Sequence, residues 1–431
     1  MEAFILTGTF GVVCRNSLYL TELAKRGLKI LLITQARWRD EAFARMAEPG
    51  HPASMIHEIG FIDGGVSEEG SYNAGVVALG QLWREKYEIA GVLAVGETLV
   101  EPTGILADAL GMPSPGLRAT RVCRSKYLQR FYLPEFSPLS IVLPAGERDT
   151  LHAEDVRFPA VVKPASRHSS SGVEMVDDWD ELHKQLRTYP EHETVLVEAK
   201  VVGQEFSVES LVQHGKAIFT SVTRKETTDS HARTFVELSH SVPSDRLDVQ
   251  DALLDANQKM LDKLGFENGI AHAEWRVDAD GKPFLMEVAA RTPGDGIMVL
   301  YGLATGAAAE PEITKIALGE DASYPTPARH ARQIYLEHEL GTLADVVIEW
   351  DGIEPHWLGE DGLWPEIQPG AQDDPPTLRA LLVLKGKGTT LTELSASEDR
   401  AVTFLIDAPT VKELDELEHR VREAITIKVE K

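Results

Sequence analysis

Two short runs, AHAEW at 271–275 and LMEVAAR at 285–291, decide how this chain is read. Between them lies RVDADGKPF, whose Asp278-Ala279-Asp280-Gly281 segment is a hairpin-turn signal flanked by apolar residues. The runs are therefore expected as adjacent antiparallel strands carrying Glu274 and Glu287. Two carboxylates facing each other across a hairpin repel unless a cation sits between them. Hard oxygen ligands on rigid strands suit Mg²⁺, which is held by one or two carboxylates plus substrate phosphates. The pair points to a metal–nucleotide site, so the rest of the chain is read for the parts that would hold a nucleotide.

Composition narrows the field. A chain of 431 residues corresponds to about three domains, and 43% hydrophobic with 26% charged residues is ordinary for a globular protein. The net charge of −25 argues against a partner rich in phosphate, whether nucleic acid or an anionic membrane surface. With only Cys14 and Cys123 there is no disulfide framework and no cysteine-rich zinc site. The start, MEAFILTGTFGVV, lacks a basic leader segment, and no apolar run approaches the length of a membrane span. The expectation is a cytoplasmic enzyme.

The N-terminal stretch alternates strands and helices: AFILTG (3–8), a helix from Asn16 to about Lys25, KILLIT (29–34), NAGVVALGQLWREK (73–86) and AGVLAVG (90–96). That alternation predicts a doubly wound parallel-sheet domain over 1–116, ending at the Pro/Gly linker GMPSPG, 111–116. A helix is expected over ATRVCRSKYLQRFY (119–132). Strands follow at FPAVVKP, at 195–212 with a joint at Gly203, and at KAIFTSVTRK (216–225). A helix over about 248–264 carries Leu253, Leu254, Met260, Leu261 and Leu264 on one face and stops at Gly265. The last hundred residues read as a separate α+β piece, in which Thr410-Val-Lys-Glu413 is a capping box.

Several segments carry candidate chemistry, each with a plainer alternative beside it. Lys163 ends a β-branched strand and precedes Arg167-His168-Ser169-Ser170-Ser171-Gly172; a lysine fixed by a strand and a small-residue loop suit phosphate oxygens, or form an ordinary surface lysine and loop. Lys126 lies among Arg121, Arg124 and Arg130 in an acidic chain, either an anion site or a solvated helix face. Glu198 ends one strand and Glu205 begins the next, so the joint between them offers backbone groups to a planar base and a carboxylate to a ribose. The alternative is two glutamates facing water. Arg291 follows Glu287 by four residues and precedes the turn TPGDG (292–296), either to stabilise developing charge or to form a salt bridge with Glu287.

The order of these parts carries more than any one of them. Lysine, strand-lysine with a Ser/Gly loop, Glu…Gly-x-Glu joint, then Glu…Glu-x-x-x-Arg resembles the ATP-grasp superfamily of carboxylate–amine ligases over about 119–310. The EVAARTPGDGI segment is most similar to the L-amino-acid ligase group that makes dipeptides and peptide-like natural products. The resemblance implies α/β and α+β architecture: an N-terminal domain (1–116), an ATP-grasp domain of two α+β subdomains (117–325, with a lid at about 155–225), and a C-terminal α+β subdomain (326–431). Lys126 and Lys163 would hold ATP phosphates beneath the loop containing Ser169, Ser170, Ser171 and Gly172. Glu198, Lys200 and Val201 would line the adenine hinge, and Glu205 would take the ribose. Glu274 and Glu287 would ligate Mg²⁺, and Arg291, with Lys163, would serve catalysis. Many members carry Glu-x-Asn-x-Arg; here Ala289 replaces the asparagine, so a second Mg²⁺ would need a water or another ligand.

The implied reaction activates a carboxylate as an acyl phosphate and joins it to an amine, releasing ADP and phosphate. Substrate groups would lie among Arg276, Arg291, Asp295 and the 226–240 segment, His240 included. The implied partners are small carboxylate and amine substrates rather than nucleic acid or membrane, and ligases of this kind are often homodimers. The alternatives are a carboxylase-like or purine-pathway ligase and a nucleotide-binding regulatory module without turnover.

Overall fold

Strand Glu2–Thr7 is apolar on both faces because both are covered. Ala3 and Ile5 join Leu31 and Ile33 in a core under helices Asn73–Arg84 and Val100–Leu110, while Phe4 and Leu6 join Ile30 and Leu32 under helix Ser17–Lys25. This double burial is what a parallel sheet requires. The sheet runs in the order 58–62, 29–35, 2–7, 88–94, all parallel, as expected for a doubly wound domain. The protein is seen here as a computed structural model, which describes residues 1–66, 68–167, 171–359 and 362–431. Ser169 and Ser170 of the expected phosphate loop lie outside the described residues, as does His168.

The helix expected over 119–132 is two helices, Leu117–Cys123 and Lys126–Tyr132. Ser125 is extended between them (φ −131°, ψ 109°), and a single extended residue suffices to break the i→i−4 ladder. The break starts a new helix at Lys126 and puts Lys126 and Arg130, four apart, on one face.

A four-stranded antiparallel sheet follows, in the order Ser140–Leu143, Val195–Ala199, Ala160–Pro164, Glu174–Val176. Helix Trp179–Leu186 lies against it, its N-terminus capped by Asp178 accepting the Glu181 N–H at 2.9 Å. This lid-like unit therefore runs from 140 to 199. Residues 204–225, placed in the lid by the sequence reading, are long strands of a different sheet.

That second sheet has nine strands among the described residues, in the order 283–289, 269–277, 204–213, 216–227, 237–242, 330–336, 402–408, 377–383, 355–357. Helix Leu247–Leu264 packs on it through Leu253, Met260, Leu261 and Leu264 against Phe206, Trp275, Leu285 and Val288. The strands beyond residue 326, expected in a separate piece, are hydrogen-bonded into the same sheet: Ser239 pairs with Ile334 and Val242 with Ala331. Among the described residues, Gly341–Ile348, Thr390–Leu391 and Ile425–Glu430 form a further small sheet. Thr410 caps helix Val411–Ala424 as expected, accepting the Glu413 N–H at 3.3 Å. No helix of the described residues is long and apolar enough to cross a membrane.

Candidate active site

The two opening runs are strands Gly269–Val277 and Pro283–Ala289, and in their register Glu274 stands directly opposite Glu287. A bulge immediately after Glu274 shifts the pairing by one residue, a device that re-aims side chains. Strand 283–289 is an edge of the large sheet, and the segment 129–136 closes it. The Gln129 side chain donates to the Val288 carbonyl and accepts from the Val288 N–H, both at 3.0 Å, while the Leu285 N–H donates to the Phe136 carbonyl at 2.7 Å. The lysine helix and the carboxylate hairpin are thus locked together.

Each carboxylate of the pair meets an ammonium. Lys126 Nζ donates to Glu287 Oε1 at 3.0 Å and to the Arg167 carbonyl at 2.8 Å. Lys225 Nζ lies 2.5 Å from Glu274 Oε1 and 3.9 Å from both Glu205 and Glu237. Burial alone would raise the Glu274 carboxyl and lower the Lys225 ammonium; Lys225 beside it holds Glu274 well below the carboxylate range, and the three glutamates push Lys225 up. His272 also reaches Glu274, 3.3 Å from Nε2, with its Nδ1 2.8 Å from Glu209. Glu209 in turn accepts from Ser207, Thr223 and Tyr301, so His272 belongs to a buried polar network behind Glu274.

Across from the hairpin, Glu198 lies buried between two cations. Arg130 Nε is 2.5 Å and Lys163 Nζ 2.7 Å from its oxygens, and both cations also reach the Met286 carbonyl. Burial would raise Glu198, but Arg130 and Lys163 bring it down to about 2. The same burial lowers Lys163 to about 8, because one carboxylate shared with Arg130 does not offset the desolvation of its ammonium. Two cations and one anion leave a surplus positive charge, which suits an anion of the kind the sequence reading expects at the 167–172 loop. Of that loop, Gly172 has a φ of +73°, and its carbonyl accepts from Tyr189 at 2.6 Å.

Lys200 and Val201 lie in the irregular stretch joining the lid sheet to the large sheet. Glu205 begins the next strand, but Arg276 takes it at 2.8 Å, and Asp229 holds the other side of Arg276 at 2.6 Å. Arg276, a candidate for substrate, is committed to this ion-pair cluster. Arg291 is likewise paired, not with Glu287 as the alternative reading had it but with Glu97, and its Nη1 donates to the Thr292 carbonyl at 2.7 Å. Burial would raise the Glu97 carboxyl; Arg291 and Arg124 hold it down. Asp295 and His240 come together, 2.8 Å apart, and Arg400 joins them. Against burial, Arg400 and His240 keep Asp295 well below the usual carboxylate range.

Three of these participants were missed in the sequence. Glu97 follows AGVLAVG at the carboxyl end of a parallel strand, where ligands of α/β sheets gather, and that rule alone could have found it. Lys225 was read only as the end of a strand, although its alternation with Thr223 puts it on the same sheet face as Glu274. Arg400 carried no local signal, being 105 residues from Asp295.

Ala289 is buried and has no side-chain oxygen to offer a cation. Among the described residues, Glu205, Glu237 and Glu274 bring carboxylate oxygens within 4.8 Å of one another, but the Lys225 ammonium already stands among them. Glu274 and Glu287 are two hard oxygen donors on paired strands, with side chains 24% and 28% exposed, and they would suit Mg²⁺ once Lys225 and Lys126 give way.

Residues 156–299 match the family model for the ATP-grasp domain. The chain is 32% identical over 204 residues to the D-alanine–D-alanine ligase B of Pseudomonas syringae pv. tomato, a match covering 46% of this chain and 60% of that protein. It is 22% identical over 282 residues to the alanine–anticapsin ligase of Bacillus subtilis, covering 56% and 57% respectively. The chain thus spans less than two thirds of the length of these curated relatives. In fold it is similar to the crystal structure of the L-amino acid ligase from Bacillus licheniformis, with a TM-score of 0.76 over 100% of this chain and 99% of that one at 19% identity.

Proposed function

We propose that this chain, whose residues 156–299 match the ATP-grasp domain, is an ATP-dependent ligase that joins a carboxylate to an amine, between amino acids or amino-acid-like molecules. The observation that carries this reading is the facing pair Glu274 and Glu287, set between the Lys126–Lys163 end and Arg291. The ligases named among its relatives support it.

In this reading the cationic surplus around Glu198 takes ATP: Lys126 and Lys163 release their glutamates and bind phosphate oxygens, a charge-assisted exchange. Glu198, Lys200 and Val201 line the base, and Glu205 the ribose. Glu274 and Glu287 would hold Mg²⁺, which when bound would supply neutralising charge to the phosphates. The terminal phosphoryl group passes to a carboxylate oxygen as its bond to the ADP oxygen breaks, giving the acyl phosphate and ADP. The amine nitrogen then attacks the acyl carbon, the carbon–oxygen bond to phosphate breaks, and the amine loses its proton. Arg291, fixed by Glu97, steadies the negative charge that builds on the acyl oxygen. Catalysis is positioning and charge neutralisation, and no covalent enzyme intermediate is required.

The test is ADP release with mixtures of amino acids. Release that depends on two different amino acids together supports ligation. Nucleotide binding with no turnover across a broad carboxylate and amine panel overturns it in favour of a regulatory module. Glu287→Gln is expected to abolish release while leaving the folded spectrum unchanged; near-normal turnover would remove Glu287 from the metal site.

A further inference from the structure

The turn that follows Arg291 is fastened by side chains from three strands of the large sheet's other half or their flanks. Asp295 has a φ of +53°, in the left-handed region that is unfavourable for a residue bearing a Cβ unless its surroundings hold it there. Arg400 grips its carboxylate with two prongs, Nη2 to Oδ1 at 2.7 Å and Nη1 to Oδ2 at 3.0 Å. His240 Nε2 reaches the same Oδ2 at 2.8 Å. One residue further, the Gly296 N–H donates to Gln333 Oε1 at 2.8 Å.

Arg400 is itself rigid. Its guanidinium lies 3.8 Å from the centre of the Tyr335 ring, and its Nε donates to the Ser397 carbonyl at 2.9 Å. It sits just ahead of strand Val402–Ala408, and Gln333 lies on His330–Leu336. Nη1 also comes within 3.9 Å of Glu237, which shares the carboxylate cluster with Glu274. A forked guanidinium–carboxylate pair fixes direction as well as distance. Only three residues separate Asp295 from Arg291, a short tether between the two.

We infer that Arg400 is a positioning residue for the ligation reaction: acting through Asp295, it holds the 292–296 turn in its left-handed form and thereby aims Arg291 at the reacting acyl group. The kinetic part of this inference rests on the ligase reading above; the structural part rests on the turn alone. Residues beyond 326 thus act within the centre that the ATP-grasp segment lines.

Two measurements test it on the full chain. In the first, Arg400→Gln is expected to lower kcat for ADP release at least about tenfold, as displaced catalytic groups do. The KM for ATP should stay within about twofold, since the ATP-facing groups are untouched. Arg400→Lys, which keeps the charge and loses the fork, should fall between the two proteins. Unchanged kcat per folded molecule, or kcat and ATP affinity lost together, would overturn the inference. In the second, hydrogen exchange is followed in the peptide spanning 293–297. Arg400→Gln should speed exchange there at least about tenfold while the 269–289 hairpin keeps its protection. Asp295→Asn gives the same reading should Arg400→Gln fail to fold, because asparagine tolerates the left-handed backbone while losing the ion pair. Unchanged exchange at 293–297 refutes the clamp whether or not the protein turns over. If no amino-acid pair elicits ADP release from the natural protein, the ligase reading fails, and the exchange result still decides the clamp.

Discussion

Lys163 departs far from its free chemistry, and in the direction that weakens a cation. Burial disfavours the charge and Glu198 is shared with Arg130, which together push its ammonium down to about 8. A polyphosphate binds the protonated form, so affinity for ADP with Mg²⁺ should be full below pH 8 and fall as the pH climbs past it, by about tenfold per unit at the limit. Lys163→Arg should flatten that dependence between pH 7 and 9.5, measured by titration calorimetry; a slope equal to the natural protein's would clear Lys163 of phosphate binding. Glu198 supplies the complementary effect on stability. Its carboxyl is depressed from 4.5 to about 2, so the stability it contributes is present above pH 4.5 and is lost as the pH falls toward 2. Acid unfolding of Glu198→Gln should lose part of that steepness. At this scale the sequence was half readable. Lys126, Lys163, Glu274, Glu287 and Arg291 sit in ordered motifs that a reader can line up, while their partners do not: Glu97 is 194 residues from Arg291, and ion pairs closed over such distances leave no local trace.

Among elements, the hairpin was the most legible, since a turn signal and two apolar runs specify both its strands and its register. The helix at 119–132 misled because its composition gives no hint of the extended residue at Ser125; that break follows from docking onto the hairpin, a tertiary demand that overrides local propensity. The joint after Glu198 depends on Gly203, where a Cβ would meet the Val277 carbonyl at 1.9 Å. Gly203→Ala should therefore destabilise by about 1–3 kcal/mol and loosen the Glu205–Arg276 contact, which denaturant titration and nucleotide affinity would register together. Leu285, fully buried beneath the hairpin, should cost about 2–5 kcal/mol as Leu285→Ala; a loss below that range would mean that the core under the carboxylates collapses around the gap.

For the whole molecule, the large sheet explains why a chain that reads as separate pieces folds as a connected one. The parallel N-terminal sheet announced itself through alternating strands and helices, but nothing local in ARQIYLEHEL says that its strand pairs with 237–242. Register across a ninety-residue gap is set by the complementary burial of two surfaces, which only the fold displays. A chain ended at 325 would keep strand 216–227 beside strand 237–242 but lack its other neighbour, 330–336, together with Arg400 and Gln333, which hold Asp295 and Gly296. It should fail to give a cooperative thermal transition; a truncated protein that melts in one sharp step would show the C-terminal strands to be dispensable.

Gln129 has one further consequence. Its amide takes both backbone groups of Val288, the Phe136 carbonyl takes the N–H of Leu285, and Arg130 takes the carbonyl of Met286. The outermost strand therefore meets a counterfeit neighbour made of one helix and its exit loop, leaving few open backbone groups to template a stranger's strand. The carboxylates can stand at a rim, open to small molecules, because the rim they stand on is already zipped shut against other polypeptides. Gln129→Leu would unzip it, and its mark would be concentration-dependent association of folded protein before any loss of melting temperature.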